Sequence, residues 1–123
     1  MAGHTDLAEA IADAEGFGVA GAIPTVAHNP GDLVLGDRGF GTLGAEHITV
    51  FQDDATGWAA LEHELTLIRT GKSHVYEPSM TIGQMAVKWT DTQVGAWAQN
   101  VCDALVHMGH YGVTTNTKLR DVL

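Results

Sequence analysis

Eight of the chain's 15 glycines fall between residues 16 and 44. Glycine gives up more backbone freedom on folding than any other residue, so long regular elements are disfavoured there. A flexible linker of that composition would have nothing to bury. This segment differs, because Phe17, Val19, Ile23, Val26, Leu33, Leu35, Phe40 and Leu43 are interleaved with the glycines. Such a pattern predicts tight turns and short irregular strands.

The flanks have clearer periods. Leu7, Ala10, Ile11 and Ala14 recur at helical spacing, with Thr5 or Asp6 as cap, and Gly16 stops the helix just after Glu15. His47 to Phe51 is rich in β-branched residues and reads as a strand. Asp53 and Asp54 cap a second helix with Trp58, Leu61, Leu65 and Ile68 as its buried stripe, ended by Gly71. Residues 72–80 form a loop with Pro78. Thr81 caps a third helix carrying Ile82, Met85, Ala86 and Trp89. Asp91 or Thr92 starts a fourth, with the stripe Val94, Trp97, Ala98, Val101, Leu105 and Met108, ended by Gly109. Asn116 caps a short final helix with Leu119 and Val122. The fold class is therefore α+β and mostly helical, with a small β-hairpin region after the first helix. A chain of 123 residues fits one domain, 1–123, with Met1 to His4 as a disordered lead.

Composition removes several functions. The formal charge is −9, and the six Lys and Arg residues are scattered, whereas phosphate contacts need clustered cations. Nucleic acid is not an expected partner. No run of 18 apolar residues exists, so no membrane span is expected. The first residues lack a basic stretch leading into an apolar one, which predicts synthesis in the cytoplasm without a signal peptide. The single Cys102 excludes an internal disulfide. Its place between Ala98 and Leu105 predicts a buried inert thiol rather than a peptidase nucleophile. His63-Glu64 begins a zinc-protease pattern, but Leu67 stands where a second histidine is required. His107 and His110 are separated by the helix-breaking Gly109. No metal or other cofactor is expected. Trp58, Trp89 and Trp97 lie on apolar stripes, which predicts core packing over sugar stacking. Gly36, Gly39, Gly41 and Gly44 lack the Gly-Lys-Ser/Thr ending of a phosphate loop.

On the residues alone, Glu15 is a helix-end carboxylate, and Asp32, Asp37 and Glu46 are turn or strand-end carboxylates, all ordinarily exposed. The order of the pieces adds to this. A helix ending Glu15-Gly16-Phe17 is followed by Asn29-Pro30-Gly31-Asp32-Leu33, then by a strand ending Val50-Phe51 and by Gly57-Trp58 with Leu61 and Leu65. Further on stand Thr81-Ile82, the run Trp97-Ala98-Gln99-Asn100-Val101, and Gly112-Val113 with Leu119. Over roughly residues 7–123 this resembles a family of small phage and prophage proteins with a lysozyme-like, lytic-transglycosylase-like fold, some labelled virion structural proteins. The family commonly has asparagine where this chain has Asp32, and many transglycosylases have serine where it has Gly16.

The resemblance implies a lysozyme-like fold in which Glu15 is a general acid and base at a cleft. It implies cleavage of peptidoglycan glycan strands, by a transglycosylase or muramidase, at the cell wall or on a virion with other virion proteins as partners. Protonating a glycosidic oxygen requires a carboxylic acid still protonated near neutral pH. Phe17 and Val19 are expected to desolvate Glu15, and the negative end of the helix adds to the effect. A transglycosylase manages with one carboxyl group, while hydrolysis ordinarily uses a second. Asp32 and Glu46, with Asp37 beside them, are the candidates for that second carboxylate. Asn29, Gln52 and Tyr76 are candidate substrate-binding residues. The alternative is a non-catalytic phage structural or glycan-binding protein that keeps the fold.

Overall fold

The computed structural model describes residues 3–123; Met1 and Ala2 of the expected lead lie outside the described residues. In order, the elements are α1 (Asp6–Glu15), α2 (Ile23–Val26), β1 (Thr42–Leu43), β2 (Ile48–Thr49), α3 (Asp54–Arg69), α4 (Ile82–Trp89) and α5 (Val94–His107). A turn of 3-10 helix, Leu119–Asp121, follows. The molecule is mostly helical, with one two-stranded antiparallel sheet among the described residues.

The helical body forms where the sequence period is cleanest. α5 packs against both α1 and α4, and α1 also meets α3. Leu7 and Ile11 of α1, Leu61, Leu65 and Ile68 of α3, Ile82 and Met85 of α4, and Val101 and Leu105 of α5 are essentially inaccessible. Burying each such side chain contributes about 1.5–3 kcal/mol, so these stripes decide the packing. The helix ends are satisfied locally. The Thr56 amide donates to Asp53 Oδ1 at 2.8 Å, and Thr81 and Gln84 exchange hydrogen bonds as a capping box. Thr5 precedes α1, but its side chain does not cap it. Its amide and Oγ1 donate instead to the Glu62 carboxylate, at 2.8 and 2.6 Å, tying α1 to α3. His4, next to it, stacks on Trp58 with ring centres 3.8 Å apart.

Four local expectations are corrected. Ile23–Val26 forms a turn of helix where only turns and irregular strands were expected; Pro24 at its start presets the helical φ. The strand expected over His47–Phe51 is paired only at Ile48–Thr49, in the register Thr42↔Thr49 and Leu43↔Ile48. The Val50 amide still reaches its register partner, the Gly41 carbonyl, but the Thr49 and Phe51 amides go to the Leu33 and Ala27 carbonyls, so no longer ladder forms. α5 starts at Val94 rather than at Asp91 or Thr92, because Gln93 adopts a left-handed conformation at φ 50°. The last helix is a 3-10 turn after Lys118 and is not capped by Asn116. This tail is held by the chain before α4, with the Leu119 amide on the Met80 carbonyl at 2.8 Å and a bridge between Thr81 and Lys118.

The glycine-rich segment is fixed by a polar hub. Asn29 is completely buried; its Nδ2 donates to the Leu33 and Thr49 carbonyls at 2.9 and 2.8 Å, and its Oδ1 accepts from the Leu33 amide at 2.9 Å. Thr49 Oγ1 accepts from the Leu35 amide and donates to the Gly36 carbonyl, at 2.8 and 2.9 Å. Two side chains thus serve backbone groups of a segment that has little helix or sheet of its own. The hub abuts the body at Gly57 of α3. A Cβ there would sit 1.8 Å from the His28 carbonyl oxygen, so only glycine lets the helix approach this closely.

Candidate active site

Glu15 is the last residue of α1. Gly16 takes φ 79°, and its amide and that of Phe17 return to carbonyls of the last turn, so the helix ends there and the chain turns away. Glu15 is left half-buried beside the body. Its surroundings differ from the expected ones. Val19 is 61% exposed, and Phe17 packs edge-on against Trp58. The neighbours of the carboxyl group are instead the indoles of Trp89 and Trp97, with the carboxylates of Asp32 and Glu46 near enough for their charges to act on it.

Burial pushes the Glu15 carboxyl up to about 8, and the Asp32 charge adds to the rise. Glu46 raises it further, while the indole N–H groups of Trp97 and Trp89 act in the opposite direction. Near neutral pH, Glu15 is therefore predominantly a neutral acid. Asp32 is also pushed up by burial and then by Glu46, to about 6, so it is mostly ionised under the same conditions. Two carboxyl groups in one site with separated acidities are the usual arrangement for an acid and a charge-bearing partner.

Asp32 follows Asn29-Pro30-Gly31 in a left-handed conformation at φ 53°, which aspartate tolerates better than most residues. Its Oδ1 is buried without a hydrogen-bond partner. It lines two neighbouring clefts. One, of about 290 Å³, has Tyr76, Glu64, Lys88 and Trp89 in its walls. The other, of about 470 Å³, has Glu46, Lys88, Trp89 and Thr90. A third, of about 240 Å³, adjoins at Thr90 and is walled by Ala14 and Trp97. Glu15 itself walls none of the three, but Asp32, Glu46, Trp89 and Trp97, which act on its carboxyl group, do. A larger hollow than these, about 690 Å³, lies elsewhere, between Glu9 and Asp13 of α1 and Asp103 and His107 of α5.

The other sequence candidates fall on different sides. Glu46 sits exposed in the turn between β1 and β2 and faces the Asp32 cleft. Tyr76 lines the cleft on the other side of Asp32, its ring centre 5.6 Å from that of Trp89. Its hydroxyl is pushed up to about 12 by burial and by Glu64, so it stays a hydrogen-bond donor. Asn29 is corrected: its amide is spent on the backbone of the hub and presents nothing to a ligand. Gln52 is exposed and lines none of the three clefts. Asp37 accepts from the Gly39 and Gly41 amides at 2.7 and 3.0 Å, which holds it below the usual carboxylate range as a turn residue.

Trp89 and Trp97, two of the three tryptophans assigned to core packing, were the residues missed. Both do pack, with rings 6.1 Å apart and 27° from parallel, yet both also flank Glu15. Helical spacing placed them on the buried stripe, but no sequence signal connects them to a carboxylate on α1. Among the described residues, no three His, Cys, Asp or Glu side chains gather to hold a metal, and no helix is long and apolar enough to cross a membrane. Comparison with protein-family models, with curated proteins and with solved structures found no match to this chain.

Proposed function

We propose that this chain is a lysozyme-like enzyme that cleaves the glycan strand of peptidoglycan, with Glu15 as general acid and then base. The observation that carries this reading is a helix-end glutamate held neutral near physiological pH, beside a second, ionised carboxylate and a set of open clefts. The resemblance to phage proteins supplies the setting, a virion or a lysing host.

The chemistry follows from the two protonation states. The Glu15 O–H gives its proton to the bridging glycosidic oxygen, and the bond from that oxygen to the sugar carbon breaks with its electron pair leaving on oxygen. The positive charge that develops on the sugar ring is stabilised by ionised Asp32. Glu15, now a carboxylate, takes a proton from the attacking hydroxyl. If that hydroxyl is the sugar's own hydroxymethyl group, an anhydro ring closes; if it is water, a reducing end results.

Purified protein is expected to clear a peptidoglycan suspension, and Glu15→Gln to lower the rate by about 100-fold or more. Because Asp32 must be ionised and Glu15 protonated, the rate is expected to rise through about 6 and fall through about 8. Equal clearing by wild type and variant would overturn the assignment. Absence of clearing with retained sedimentation alongside peptidoglycan would mark the glycan-binding alternative.

A further inference from the structure

Among the described residues, two buried side-chain polar atoms have no hydrogen-bond partner, Asp32 Oδ1 and Trp97 Nε1. Both belong to residues that act on Glu15. An indole N–H is a donor only, and buried donors are almost always paired. Trp97 is 5% exposed on the first turn of α5 and shares a cleft wall with Ala14, the residue before Glu15. Trp89, stacked on it, makes the contrast: its Nε1 donates to the Gly31 carbonyl at 3.0 Å. Of two stacked indoles beside one carboxyl group, one has spent its N–H and the other has not. A phenylalanine would fill much of the Trp97 site without burying an unpaired donor.

We propose that Trp97 is the positioning residue of the Glu15 acid, its indole N–H held in reserve for the carboxylate that forms when Glu15 releases its proton. While Glu15 is neutral, the N–H stays unpaired. When the proton passes to the glycosidic oxygen, the charge left on Glu15 draws the hydrogen bond from Trp97. When the carboxylate recovers a proton from the attacking hydroxyl, that bond is released. The unpaired donor disfavours the resting state slightly, and the bond it makes later favours the state that follows proton release. Asp32 from the loop and Glu46 from the hairpin turn are the charged groups that oppose ionisation of Glu15, and Trp97 answers them.

The role rests on the proposed function, but the coupling is measurable without turnover. In wild type, the Trp97 Nε1–H resonance is expected to move with the midpoint of the Glu15 carboxyl carbon. In Glu15→Gln it should stay still through that range, although Asp32 still titrates. Trp97→Phe is expected to raise the Glu15 midpoint by about one pH unit. Trp89→Phe should raise it less. The alkaline limb of the clearing profile should move up with the midpoint. An indole resonance indifferent to pH, or one that moves alike in Glu15→Gln, overturns the inference. If Trp97→Phe does not fold, the comparison of wild type with Glu15→Gln decides alone. Clearing without the coupling rejects Trp97 only. Coupling without clearing rejects glycan cleavage and leaves Trp97 as the partner of the Glu15 charge.

Discussion

The helical body and the glycine-rich segment are held by opposite means. In the body, apolar stripes from α1, α3, α4 and α5 share one core, so each contact is backed by several others. In the segment from residue 16 to 51, β1 and β2 contribute two residues each, and Val19, Ile23, Val26, Val34 and Phe40 remain exposed. Order there depends on Asn29, Thr49 and Asp37 serving the backbone. The body is redundant and the segment is not. The site lies where the two meet, with Glu15 and Trp97 from the redundant side and Asp32 from the other. A rigid body can hold a carboxyl group desolvated, while an irregular loop can bring a second charge to it in a backbone conformation no helix allows.

Gly57→Ala tests the seam between the regions and should have the largest effect. The added carbon meets a carbonyl oxygen of the backbone, which cannot rotate away, and the loss is expected to be about 4 kcal/mol. Urea denaturation measures it; a loss below about 1 kcal/mol would mean the segment shifts freely on α3. Asn29→Ala comes next. It leaves the buried Leu33 amide unpaired and takes the Asn29 donor from the Leu33 and Thr49 carbonyls, of which the first keeps the Thr49 amide, at a cost of about 3 kcal/mol. Faster hydrogen exchange at Leu33 and Leu35 with little change on α5 would confirm that the polar hub serves the segment alone. Uniform acceleration would show the two regions to be one cooperative unit.

The smallest effect is the dependence of stability on pH. Glu15 has an ordinary value of 4.5 and a folded value of about 8, so between them the folded chain binds a proton that the unfolded chain has lost. Stability therefore falls as pH rises through that window. Glu15→Gln has no charge to bury. The whole shift would be worth about 5 kcal/mol; solvent reaching the half-buried carboxyl group reduces it, and the variant is expected to gain about 2 kcal/mol on wild type, relative to the difference at acid pH, once pH exceeds about 8. Denaturation curves at the two ends of the window check this, and a difference that stays constant would mean that the body does not desolvate Glu15.

What could be read from the sequence divides along the same line. α3, α4 and α5 were legible because their apolar residues repeat at helical spacing and their starts and stops carry Asp53, Thr81, Gly71 and Gly109. The end of α1 at Glu15 was legible through Gly16. The segment was read only in outline. Nothing in Ile23-Pro24-Thr25-Val26 separates one helical turn from a strand, and the length of β2 was set by distant carbonyls at Ala27 and Leu33. Glu15 and Asp32 could be nominated by position, but the raised pKa of both is a tertiary property. Trp97 lies far from Glu15 in the chain, and its second role depends on which edge of a buried indole faces α1. Asn29 shows the converse, a polar residue in a promising turn whose whole capacity is consumed by the fold.

Cys102 gives this architecture a built-in clock. The thiol is 1% exposed on α5, in the same helix as Trp97, and burial together with Asp103 pushes it up. Only a thiolate reacts quickly with alkylating reagents, so the closed molecule is nearly silent to them. The pace of labelling therefore counts how often α5 lifts from α1 and α4.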